Sequence, residues 1–157
     1  MIAVGISGHQ KMPEVASAFA RQSLAQLLPR GQGLLGYSSL AKGADQIFAE
    51  YVLGLGAQLH VVLPCADYES TFGPTQDRAR YRFLLGKAVA VDTLGFARPS
   101  EEAFFAAGRA IVDACDWLIA VWDGRPAQGP GGTADIVAYA EHLGRRVEVV
   151  WPPGVSR

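Results

Sequence analysis

Cysteine is scarce: Cys65 and Cys115 are the only two in 157 residues. They have no ligand-like spacing and no neighbouring histidine. That argues against a disulfide framework and a zinc site, and for buried thiols in a reducing compartment. No excess charge is present either, since 14 Lys and Arg stand against 15 Asp and Glu for a net charge of −1. Such a balance leaves no electrostatic case for nucleic acid or an anionic membrane as partner. No apolar run approaches the ~18 residues of a membrane span, and the first residues lack the basic leader of a signal peptide. Internal repeats, linkers and low-complexity stretches are missing. The expectation is one soluble, cytoplasmic domain over residues 1–157, needing no metal and no required cofactor.

What is present is apolar residue in short runs: half the chain is hydrophobic. Residues 2–6, 34–37, 58–63, 88–91, 117–122 and 146–151 read as strands, with the run at 117–122 the most apolar. Pro64 stops the third run and Pro152-Pro153 the sixth. Between them lie helical patterns. One opens at Pro13-Glu14, a second carries Ile47, Phe48, Tyr51, Val52 and Leu55, and others cover residues 76–86, 104–115 and 134–142. Ser100-Glu101-Glu102 has the composition of a helix N-terminus. The polar segment 65–75 reads as a long loop. Strands alternating with helices give an α/β, doubly wound domain with a mainly parallel six-stranded sheet. Ligands bind such sheets at the carboxyl ends of the strands, near the switch in strand order.

The special residues collect at that edge. Gly8, His9 and Gln10 follow the first strand, Ser38 to Asp45 the second, and Asp123 to Thr133 the fifth. The last of these holds Gly129, Gly131 and Gly132, with Thr133 placed to cap the following helix. A glycine turn there presents backbone N–H groups at the positive end of a helix dipole, which suits phosphate. The dinucleotide pattern G-x-G-x-x-G and the P-loop G-K-[ST] are both missing, so ordinary NAD or ATPase assignments are weak.

Ser39-Leu40-Ala41-Lys42-Gly43-Ala44-Asp45 is similar to the S-G-x-A-x-G-[IA]-D turn of the SLOG superfamily. That group holds the Lonely Guy phosphoribohydrolases, YpsA-like proteins and the DNA-processing protein DprA. Gly8-His9 resembles the G-H after the first strand of YpsA-like members, and residues 117–133 resemble the D-x-[LI]-[IL]-A-[VL]-x-G…G-G-T element. The resemblance implies a Rossmann-like sheet that binds a nucleotide or nucleotide-derived small molecule, and members that pair as homo-oligomers. The segment Phe104-Phe105 is a candidate for such a contact. Lonely Guy enzymes carry P-G-G-x-G-T-x-x-E. Aligned on Gly132-Thr133, this chain keeps Gly129 but has Gln128 for the proline, Pro130 for a glycine and Ile136 for the catalytic Glu. Asp135 falls one residue short, a turn of roughly 100° on a helix. Arg109 is the counterpart of the family's partner arginine, though its spacing differs. Phosphate binding carries over, and a non-catalytic binding protein is favoured over a nucleoside-monophosphate phosphoribohydrolase or a DprA-like single-stranded DNA binder.

Each candidate has a structural reading beside the functional one. His9 serves a ligand or the loop's own hydrogen bonding. Asp45 satisfies backbone N–H groups near a helix start, and Ser38 and Ser39 donate to phosphate or ribose or only stabilise the loop. Asp123 holds a ribose hydroxyl or a loop N–H. Lys11, Lys42 and Arg125 flank the edge. Arg78, Arg80 and Arg82 spread over different faces of one helix and form no anion patch. Tyr68, Phe72 and Tyr81 stack on a base or pack in the core, the latter favoured for Tyr81.

Overall fold

The computed structural model describes residues 1–28, 30, 33–126 and 132–157. Among the described residues six strands and five α-helices alternate: β1 (Ile2–Gly8), α1 (Glu14–Leu27), β2 (Leu34–Ser38), α2 (Ala44–Gly54), β3 (Gln58–Cys65), α3 (Gln76–Lys87), β4 (Ala90–Phe96), α4 (Glu101–Ala114), β5 (Trp117–Val121), α5 (Thr133–His142) and β6 (Arg146–Val150). The sheet is parallel throughout, in the order β4-β3-β2-β1-β5-β6. The chain winds outward from β1 to β4, then returns through α4 to start again at β5 beside β1. The apolar residues of α1 to α3 pack in one layer and those of α4 and α5 mainly in the other, the arrangement that right-handed crossovers produce.

Two apolar layers result, and the period of a strand sorts residues between them. Along β5, Trp117, Ile119 and Val121 join Val4, Ile6, Leu24, Phe48, Val52 and Val61 under α1 to α3. Leu118 faces the other way, with Ile111, Val112, Ile136 and Ala140. A strand buried on both faces has no polar side, which is why 117–121 is wholly apolar. Within the second layer α4 and α5 touch at Gly108, where a Cβ would collide with Ile136. Gly108→Ala should therefore destabilise the protein by about 1 kcal/mol or more, although alanine is the better helix former. Chemical denaturation would show the loss, and adding Ile136→Val should recover part of it.

Several sequence expectations change. β3 continues through Pro64 to Cys65. The β3–β4 register shifts between Leu63 and Cys65, and a residue without an N–H fits that irregularity. β4 is longer than its apolar run because it is an exposed edge strand and needs little apolar surface. The segment after β3 contains a 3-10 turn at Glu69–Phe72. Arg78 and Arg82, four apart, share a face of α3 and both bind Glu69, at 2.9 Å and 2.8 Å, while Arg80 pairs with Glu50 at 3.0 Å. These arginines tie α3 to its own neighbours. Ser100 does cap α4, its Oγ accepting from the Ala103 N–H at 3.0 Å. Phe104 and Phe105 lie half-buried against the two apolar layers. No helix among the described residues is long and apolar enough to cross a membrane.

Candidate functional site

β1 and β5 lie side by side, yet their chains leave in opposite directions, so a crevice opens between their carboxyl ends. Gly8 and Val121 are in register there. The crevice is a cleft of about 230 Å3, bounded by the loop after β1, the loop after β2, the N-terminus of α5 and the face of α4.

Close backbone docking builds its floor. Gly8 has no room for a Cβ, which would run into Ala44 and Val121. The His9 N–H donates to the Val121 carbonyl at 3.1 Å, and the Ala44 N–H donates to the His9 carbonyl at 3.2 Å. Gly43 makes that second contact possible. Its φ of 82° and ψ of −128° belong to glycine alone, and a Cβ would lie 2.6 Å from the His9 carbonyl oxygen. Ser38 is fully buried; its hydroxyl donates to the Asp45 carbonyl at 3.1 Å and accepts from the Leu40 N–H at 3.0 Å. Gln46 Nε2 donates to the Leu40 carbonyl at 3.2 Å. Those bonds hold Leu40 at a φ of 58° with its side chain in the core. Ser38 and Gly43 thus shape the cleft without lining it.

Asp45 does line it. Its Oδ2 accepts from the Ala41 N–H at 3.3 Å, as the helix-start reading anticipated. Burial pushes its carboxyl up to about 7, outweighing that N–H. Ser39, Gly8 and His9 also line the cleft. The His9 ring is buried edge-on against Trp151, centroids 5.4 Å apart, with Nε2 3.3 Å from Asp123 Oδ1 and Nδ1 3.1 Å from Arg157 Nη1. Burial and the Arg157 charge lower its pKa, overriding Asp123, so the imidazole is neutral at physiological pH. Asp123 sits behind this histidine. Burial would raise its carboxyl, but the Arg125 N–H, His9 and Arg157 together hold it below the ordinary range.

At the third loop the cap is Gly132, and Thr133 is the first helical residue, so its hydroxyl makes no capping bond. The reason is positional: in the first turn a side chain no longer reaches the orphan amides ahead of it. Thr133 is 8 % exposed and lines the cleft, and its hydroxyl has no partner among the described residues. The N–H groups of Thr133 and Ala134 have no acceptor among them either. Thr133 and Ala134, at the start of α5, both line the cleft. Gly129 and Gly131 lie outside the described residues. Asp135 and Arg109 do not line the cleft; Arg109 lies over the Phe105 ring at 4.9 Å. Ile136, at the position of the family's Glu, is buried against Gly108.

Aromatic residues complete the wall. Tyr68, Phe104 and Trp122 line the cleft, and Tyr68 and Phe104 also line an adjoining recess with Phe72 and Lys42. Tyr81 packs under Tyr68 and Phe72 in the core. Sequence reading missed Arg157, which lines the cleft from the segment after β6. A lone arginine beyond a proline pair carries no local signal. Only the return of that segment over Trp151, whose Nε1 donates to the Val155 carbonyl at 2.8 Å, brings it to the site.

A doubly wound parallel sheet with its cleft at the switch point defines a Rossmann-like domain. No family profile matches the chain and no curated protein matches it in sequence. Solved structures do match in fold. DNA processing protein A (DprA) from Streptococcus pneumoniae superposes with a TM-score of 0.68 and 19 % identity, over 94 % of this chain and 50 % of its own. DprA from Helicobacter pylori, described for its single-stranded DNA binding mode, gives 0.64 and 19 %, over 94 % and 64 %. The Moco carrier protein of Chlamydomonas rheinhardtii gives 0.55 and 16 %, over 94 % and 74 %. The chain thus spans half to under two-thirds of the two DprA proteins. It has the Rossmann-like fold of the superfamily that its motifs resemble.

Proposed function

We propose that this protein binds a nucleotide or nucleotide-derived phosphate at the carboxyl edge of its sheet, as a binding protein and not as an enzyme. One observation carries the reading: Thr133 and Ala134 line the cleft at the start of α5, and the Thr133 hydroxyl and both N–H groups have no partner among the described residues. Phosphate oxygens satisfy all three donors and gain from the helix dipole. Tyr68, Phe104 and Trp122 offer flat surface to a base, and Ser39 and Asp45 offer polar atoms to a ribose. The carboxylate that glycosidic cleavage requires is replaced by Ile136, an apolar side chain facing the cleft from a packed helix contact.

Titration calorimetry with a panel of nucleoside mono- and diphosphates tests the reading. Micromolar binding of at least one member is expected, and Thr133→Val should weaken it about tenfold by removing one charge-assisted hydrogen bond. Absence of binding across the panel would end the proposal. Release of free base in the same mixtures, lost in Asp135→Ala or Asp45→Asn, would replace it with a phosphoribohydrolase. The likeness to DprA makes single-stranded DNA the competing ligand. Mobility shifts of an oligonucleotide at micromolar protein, weakening steeply with salt, would favour it.

A further inference from the structure

The cleft holds more positive charge than one phosphate uses. Among the described residues that line it, those carrying charge are Asp45, Arg125 and Arg157, with His9 neutral and the Asp45 carboxyl largely protonated below neutrality. Two arginines therefore line a cavity in a chain whose net charge is −1.

One carboxylate touches both residues, at the Arg125 backbone and at the Arg157 side chain. Asp123 Oδ1 accepts from the Arg125 backbone N–H at 3.0 Å, and its Oδ2 lies 3.6 Å from Arg157 Nε. The Arg125 carbonyl accepts from Trp122 Nε1 at 2.8 Å, which closes the turn at residues 122–125. His9 Nδ1 takes the Arg157 Nη1 edge at 3.1 Å. The Asp123 side chain is 4 % exposed and does not line the cleft. Arg157 keeps Nη2 free of any hydrogen bond among the described residues, and Arg125 has no ion pair among them. An arginine held on two edges has already lost part of its side-chain freedom, so its remaining edge binds an anion at less entropic cost.

We propose that Arg125 and Arg157, the latter held by Asp123 and His9, form a second anion site in the same cleft, so that the ligand carries a diphosphate. The proposal rests on the phosphate reading of the α5 N-terminus and extends it. One phosphate lies on Thr133 and Ala134 and the next on the guanidinium pair. Asp123 is then a positioning residue and the arginines touch the ligand.

Inorganic phosphate and pyrophosphate are the probes, titrated by calorimetry into the full chain at constant ionic strength. Pyrophosphate should bind at least about tenfold more tightly, the size of one or two added charge-assisted contacts. In Arg157→Ala the ratio of the two affinities should fall about tenfold. Arg157→Lys should recover only part of it, because an ammonium lacks the fork. Arg125→Ala, at an exposed side chain outside the tail, should lower the same ratio even if the tail of Arg157→Ala loosens. Asp123→Asn should lower it while leaving phosphate bound. Equal affinity for the two anions in the wild type, or a ratio unchanged in both arginine variants, would overturn the diphosphate site and leave the α5 phosphate reading standing. Failure of both anions to bind, with nucleotides failing too, would remove both.

Discussion

Alanine at position 43 will destabilise the protein by about 3 kcal/mol or more, the sum of a backbone forced into a glycine-only region and an overpacked contact. The contact decides the size. The new Cβ would meet the backbone carbonyls of His9 and Gln10, and neither can move without giving up the Ala44 to His9 bond that joins the loops after β1 and β2. Gly56→Ala is the control, because that glycine also has positive φ, at 75°, but faces open space. Strain alone there should cost about 1 to 2 kcal/mol. Urea midpoints of the two variants measure the difference. Equal losses would show that the loops adjust to a side chain, and the close docking of the cleft floor would then be wrong. Nucleotide or phosphate binding should weaken in Gly43→Ala and stay unchanged in Gly56→Ala.

That glycine also shows what a sequence reveals here and what it hides. The runs at 2–6 and 117–122 announce a two-sided parallel sheet because burial on both faces leaves no room for polar side chains. β4 was legible only in part, since an edge strand has no such constraint. Glycine motifs marked the right edge of the sheet, yet they did not separate Gly43 and Ser38, which fasten the loops, from Ser39 and Asp45, which face the cleft. Both kinds of residue occur in one motif because the motif must fold before it can bind. Thr133 reads from sequence as the cap of its helix and is instead the first helical residue, since a cap and a first-turn residue look alike in sequence. Arg157 and the second role of Asp123 were invisible. They depend on a contact between residues 148 positions apart, and no local pattern encodes it.

Asp45→Asn should make the protein more stable at pH 8 and change it little near pH 4. In the folded chain the Asp45 carboxyl keeps its proton up to about pH 7, against an ordinary value of 3.8, because burial disfavours the charge. Between those values the folded chain binds one more proton than the unfolded chain, so stability falls as pH rises and levels off above about 7. The whole span amounts to on the order of 4 kcal/mol. Asparagine removes this dependence while its side-chain oxygen still accepts from the Ala41 N–H. His9 acts in the opposite sense: with its pKa lowered below 6.5, its contribution is present above that value and lost as pH falls through the folded value. The difference between variant and wild type cancels His9, so it isolates Asp45. Thermal denaturation from pH 4 to pH 8.5 should give a gain that grows with pH by about 1.4 kcal/mol per unit below neutrality and then flattens. A gain independent of pH would mean that only packing changed. A gain that grows toward acid would mean that the carboxyl is ionised in the folded state and holds the loop as an anion. The same titration bears on the site, because a charge appearing on the cleft wall above neutrality repels an anionic ligand. Phosphate affinity of the wild type should decline from pH 6 to pH 8 beyond what the ligand's own ionisation explains, and that excess should vanish in Asp45→Asn.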